Sequence, residues 1–326
     1  MSQTIVSATN RTPVIQIVTW LCLITSTLAF TAHACIKIFS LRVCSAETLL
    51  GGLSLVFSAA QSVAVTIQAA NGFGQPAESL SEAQVRASIK SGYAAEIFLM
   101  VAMGLSKMAM VAFIHGLTPR KVDRGFNYAL GGFAVLWTAS SVLVSAFQCG
   151  ASQPWDLRSS ACIDRFAWWY AVGILNIGSE VAIVALEVGM MVPLHITRLR
   201  KLSIISLFAC RLFFPVAAAV QLHVFQQDSK GELRYDFMLG YWRSTICTQV
   251  MQCLAIVTTA LPYAKLFMDT FDSGLVRVDD LRRRAEQTTG DGSAREYKLL
   301  EVSGSGQTSQ AADGIRRTQT WTVERT

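Results

Sequence analysis

The chain has 326 residues, 52% of them hydrophobic and only 15% charged, and a formal net charge of +6. Soluble domains carry nearer a quarter charged residues, so this composition excludes an ordinary soluble enzyme and points to a polytopic membrane protein. The modest positive charge is explained by loop residues that set membrane topology, and no nucleic-acid partner is expected.

The first apolar run, near residues 14–39, is too long for a signal-peptide core and lacks a small-residue cleavage site. It reads as a span. Six more runs follow, near 47–70, 93–116, 126–148, 166–195, 203–226 and 239–267. Each is long enough to cross a hydrocarbon core of about 30 Å. The second is the most polar, through Gln61, Thr66 and Gln68. Short loops favour antiparallel neighbours in one bundle. The expected fold is an all-α membrane protein, a bundle of seven transmembrane helices. It has a short N-terminus over 1–13, a membrane domain over 14–270 and a tail over 271–326.

Lysine and arginine in the loops give the orientation. One side carries Lys37, Arg42, Arg120, Lys121, Arg124, Arg198, Arg200 and Lys201, against only Glu47 and Asp123. The other carries Arg86, Lys90, Arg158, Arg165, Lys230 and Arg234, diluted by seven acids. The positive-inside rule then puts the N-terminus outside and the C-terminus in the cytosol, in the plasma membrane or an endomembrane. Asn10-Arg11-Thr12 is a glycosylation sequon on the outer side, set close to the bilayer. Beyond Phe271, Val276 to Gln287 reads either as an amphipathic helix on anionic lipid, through Arg282 and Arg284, or as a solvated charged helix. From Thr288 onward the composition is that of a disordered tail, in which Arg316-Arg317-Thr318 is a generic basic triplet. No cytosolic partner is legible there.

The fifth run holds Asn176, Glu180 and Glu187, which at 100° per residue share one helical face. A carboxylate in hydrocarbon costs several kcal/mol, so this face should look into the protein. In the third run Glu96 and Lys107, eleven residues apart, also share a face. Counting depth from the inner ends at about 1.5 Å per residue, Lys107, Glu187 and Arg211 fall at one level. An ionic network of these three is the expectation, with a purely structural role as its plainest reading. Nearer the outside, Glu96, Asn176, Glu180, Arg243, Thr245, Gln249 and Gln252, with Trp168, Trp169 and Trp242, are expected to wall a ligand pocket. Against that stands the ordinary use of tryptophan as interface belt and of polar residues as helix glue.

Cys149 and Cys162 flank one short outer loop and are expected to form a disulfide. Five further cysteines, Cys22, Cys35, Cys210, Cys247 and Cys253, lie in apolar runs and read as small hydrophobes. No cysteine–histidine cluster has metal-ligand spacing, so no metal is expected. No cofactor is expected either. A retinal Schiff base needs a lysine in the middle of the last span, whereas Lys265 stands at its inner end.

Several stretches resemble the fungal rhodopsin-domain family of seven-helix integral membrane proteins. They are Gly72-Phe-Gly74, Leu105-Ser-Lys107-Met, the loop from Phe147-Gln-Cys149 through Trp155-Asp156 to Cys162, Arg211, and Leu261-Pro262. The resemblance spans about residues 14–270 and implies receptor-like proteins and membrane proteins encoded beside natural-product pathways. This chain departs from the family's pattern in three places. Ser45-Ala46-Glu47 offers one acid where two are usual, Glu180 replaces an aspartate, and Gln249 replaces a glutamate. The leading expectation is a non-enzymatic receptor-like or accessory protein of fungal secondary metabolism that handles a small lipophilic molecule. The alternative is an intramembrane cyclase or isomerase with Glu180 or Glu187 as general acid. A transporter finds no internal repeat in its favour.

Overall fold

In the computed structural model, residues 10–40, 45–118, 120–150, 154–155, 162–191, 205–206, 209–230 and 237–261 are described. All of them belong to the first of two units, which ends at Ser273. The basic cluster at Arg198–Lys201, Lys265, and the whole tail with its amphipathic and disordered stretches lie outside the described residues.

Among the described residues the regular structure is all helical. Helix α1 covers Thr12–Cys35, α2 Ala46–Ala70, α3 Glu82–Leu117, α4 Lys121–Ala146 and α5 Arg165–Met191. Helix α6 covers Phe213–Lys230 and α7 covers Trp242–Leu261, with one short turn of helix at Phe237–Gly240 between them. Six of these, α1 to α5 and α7, are long and apolar enough to cross a membrane. The described part of α6 falls short because it ends on Gln226, Gln227, Asp228, Ser229 and Lys230, while the upstream half of the expected sixth run is described only in part.

Helix α3 is the axis. Two thirds (67%) of its apolar window is buried, against 22–44% for the other five candidate spans. It also starts well before the expected boundary. Ser81 accepts from the Gln84 backbone N–H while the Gln84 side chain accepts from the Ser81 N–H, a capping box that satisfies two otherwise orphaned donors. Small and hydroxyl residues fix its neighbours. Ser54 Oγ of α2 donates to Ala102 O at 2.8 Å, and Asn127 Nδ2 of α4 donates to Val111 O at 3.0 Å. At Gly104 a Cβ would come within 2.1 Å of Thr138 Oγ1, so only glycine permits this approach of α3 and α4.

The turn after α2 gathers three chain segments. Gly72 and Gly74 have φ of +92° and +95°, which glycine adopts without strain. Arg11 N–H donates to Gly74 O, Gly74 N–H donates to Met238 O, and Thr12 Oγ1 donates to Phe73 O. This ties the start of α1 to the segment that enters α7. At the opposite end, Lys37 pairs with Glu47 and with Ser45 Oγ across the α1–α2 connection. That is where the single acid of Ser45-Ala46-Glu47 is used.

The distribution of polarity is inverted relative to a water-soluble bundle. Leu28, Val122 and Leu136 are 66–72% exposed, whereas Gln61, Lys107, Asn127, Glu180 and Gln252 are buried. Lipid tails accept such a surface and water does not. The protein is an integral, multi-pass membrane protein.

Candidate functional site: a cavity above an ionic triad

The buried charges meet at Glu180. Lys107 Nζ donates to Glu180 Oε1 at 2.7 Å and to Ser179 Oγ at 2.8 Å, and reaches the Asn176 carbonyl at 3.3 Å. Arg211 Nη2 donates to the second oxygen, Oε2, at 3.0 Å. All three side chains are at most 4% exposed. Two rings close over the lysine, Trp137 at 5.5 Å and Phe214 at 5.9 Å from Nζ. Trp137 is itself held by its Nε1–H, which donates to Val172 O at 3.3 Å.

This corrects the expected network in one member. Lys107 and Arg211 do meet, but on Glu180. Glu187, two turns further along α5 and 1% exposed, has no hydrogen-bond partner for either oxygen among the described residues. Counting depth from helix ends assumed that α3 and α5 end flush. The two helices are offset instead: Lys107 Nζ reaches Asn176 O, Ser179 and Glu180, so that turn of α5, rather than Glu187, stands level with it.

On the side of the triad toward Cys149 lies a cavity of about 200 Å³. Its walls come from α2, α3, α5, α6 and α7, with Trp137 from α4 and Phe73 from the glycine turn. Near the open end stand Tyr93, Phe166, Trp169, Phe225 and Tyr241, and deeper in are Met103, Trp137, Asn176 and Met251. Such a concave, largely apolar space with a few inward polar groups is the usual form of a small-molecule site.

Of the seven residues expected around a pocket, Glu96, Asn176 and Thr245 line this one. Glu180 does not, because it lies below the floor with both oxygens committed to Lys107 and Arg211. Arg243 turns away, half-exposed, toward Asp228 Oδ1 at 3.8 Å and Gln227 Oε1 at 3.4 Å. Gln249 and Gln252 are buried but outside the lining. Among the three tryptophans only Trp169 lines the cavity. Trp168 packs into the neighbouring core and Trp242 sits under the Arg11 guanidinium at 5.2 Å.

Sequence reasoning missed Gln61 and Gln68, which line the cavity from α2. Their seven-residue spacing, two full turns on one face, was the available signal. Neither Glu180 nor Glu187 lines this cavity.

Cys149 and Cys162 are disulfide-bonded at the open end, next to Gln148, which lines the cavity. Ile163 N–H donates to Gln148 O at 2.9 Å and braces the same junction. Lys90 Nζ of α3 lies 4.9 Å from the centre of the Trp155 ring.

The fungal rhodopsin domain profile matches residues 32–270, and the chain belongs to that family. It is a receptor-like integral membrane protein. No curated protein and no solved structure matches it.

Proposed function

We propose that this protein is a seven-span receptor-like membrane protein whose cavity takes up a small lipophilic molecule. The observation that carries the reading is the position of Asn176. Asn176 lines the cavity while its backbone carbonyl accepts from Lys107. A ligand in the cavity therefore lies one residue away from a triad that joins α3, α5 and α6. Displacing the floor would alter charge pairing between three helices, which is the kind of two-state element a receptor needs.

The basic residues Arg120, Lys121 and Arg124 lie at the end opposite the disulfide, and the positive-inside rule assigns that end to the cytosol. The disulfide end, with the cavity mouth, then faces an oxidising compartment. The described half of the sixth expected span, α6, completes seven passes and a cytosolic C-terminus. A place beside a fungal natural-product pathway is proposed on the family resemblance.

Filling the cavity tests the reading. Thr248 lines it, and its hydroxyl donates only to Ser244 O within its own helix. Thr248→Phe thus occupies the space without orphaning a partner. With 4-phenylbutan-1-ol as probe, purified protein at one hundred times the dissociation constant should gain about 2.7 kcal/mol, read as a rise in Tm. Thr248→Phe should lose that rise. An undiminished rise in the variant would place binding elsewhere.

A further inference from the structure

Two of the cysteines in the spans meet. Cys22 of α1 is 7% exposed and Cys253 of α7 is partly exposed, and both are free thiols. The two side chains are in hydrogen-bonding contact with each other, and the Ser26 side chain, one turn on from Cys22, also reaches Cys253. Ser26 is 1% exposed, and its hydroxyl donates to the Cys22 carbonyl at 2.8 Å.

The contact follows from the way α1 and α7 pack. Arg11, at the start of α1, lies over Trp242 at 5.2 Å, and Ile15 and Ile246 share one apolar cluster. Positions 11, 15 and 22 and positions 242, 246 and 253 follow the same spacing, four residues and then seven. Steps of four and seven return to one helical face. The two helices therefore run parallel and in matched register, with Cys22 presented to Cys253. Cys247, six residues before Cys253, stands on a different face.

Depth decides which chemistry reaches the pair. Cys22 is ten residues past Thr12 and Cys253 eleven past Trp242. At about 1.5 Å per residue that is roughly 15 Å along each helix, near the middle of a hydrocarbon core of about 30 Å. Glutathione and other water-soluble thiol reagents act outside that layer. Cys253 is not part of the cavity lining, so the approach to its sulfur is through lipid.

We infer that Cys22 and Cys253 are an oxidative modification site, at which a lipid hydroperoxide converts the two thiols into a disulfide joining α1 to α7. The more accessible Cys253 sulfur attacks the terminal peroxide oxygen and the O–O bond breaks. The lipid leaves as an alcohol, taking the thiol proton, and Cys253 becomes a sulfenic acid. Cys22 and Ser26 are the hydrogen-bonding groups beside that sulfur as its proton departs. The Cys22 sulfur then attacks the Cys253 sulfur, the S–O bond breaks, and the hydroxyl leaves as water with the second thiol proton. Two electrons pass from the thiols to the peroxide. The bridge fastens α7, which supplies Thr245, Thr248 and Met251 to the cavity wall, against α1.

The test uses the full-length protein in phosphatidylcholine vesicles, treated with cumene hydroperoxide as the lipid-soluble oxidant. Remaining thiols are blocked with N-ethylmaleimide, and the protein is digested without reductant for mass spectrometry. A peptide pair linked through Cys22 and Cys253 should appear and should vanish on reduction. The treated protein should melt several degrees higher than the untreated, because the bridge closes a long loop. Cys22→Ala and Cys253→Ala should each lack both changes. Should either variant fail to fold, the linked pair in the parent protein still decides. Recovery of Cys22 and Cys253 as maleimide adducts overturns the inference. So does a bridge from Cys253 to Cys247 or Cys35, or over-oxidation of Cys253 with Cys22 left as a thiol. A linked pair with no rise in Tm overturns the fastening of α7.

Discussion

Replacing Glu180 with glutamine is expected to lower the stability of the folded bundle by about 3–5 kcal/mol, because it strands two buried cations. Lys107 and Arg211 each reach one oxygen of this carboxylate, and neither is more than 4% exposed. Glutamine keeps the shape and one acceptor, so the loss reports charge rather than packing. Adding Lys107→Met should recover part of it, since a single cation then remains to be accommodated. Glu187→Gln is the control on the same helix face. Glu187 has no hydrogen-bond partner among the described residues, so neutralising it should leave stability unchanged or raised. Thermal unfolding of the four proteins in one detergent decides the matter. If Glu187→Gln is the damaging change and Glu180→Gln is silent, the triad is centred on the wrong carboxylate.

Removing the disulfide should have the next largest effect. Cys149 and Cys162 are thirteen residues apart in sequence. Opening a loop of that length releases roughly 3 kcal/mol of unfolded-chain entropy. The double variant Cys149→Ala with Cys162→Ala should therefore melt several degrees lower, and reductant should reproduce the shift in the parent protein but not in the variant. The loss should extend to the cavity, because Gln148 lines it beside Cys149 and the Ile163–Gln148 hydrogen bond is held at the same junction. Identical melting with and without reductant would show that the bridge contributes nothing.

Much of the fold was legible because hydrocarbon imposes simple constraints. Apolar runs of about 20 residues must be helices, and the described helices fall on those runs. The early start of α3 was harder, since Ser81 and Gln84 form a capping box outside the apolar stretch that marked the span. The disulfide followed from two cysteines on one loop.

The site was legible only in part. Helical phase correctly put Asn176, Glu180 and Glu187 on an inward face, but phase carries no information about the axial register of one helix against another. That register is set by packing between residues distant in sequence, and it decided between Glu180 and Glu187. Arg243 misled for a related reason. A long charged side chain near a helix end can turn to solvent, and Asp228 and Gln227 draw it there. The polar positions of α2 looked like a weakness in a span, whereas Gln61 and Gln68 are part of the cavity wall.

The most direct test of the central claim is to map where a small lipophile binds. A diazirine analogue of 4-phenylbutan-1-ol, photolysed with the full-length protein and followed by peptide mass spectrometry, should mark Met103, Trp169 and Met251, which line the cavity from three different helices. Excess unlabelled alcohol should suppress those adducts. Adducts confined to lipid-facing residues such as Leu28 and Leu136, and indifferent to competitor, would contradict a ligand site inside the bundle.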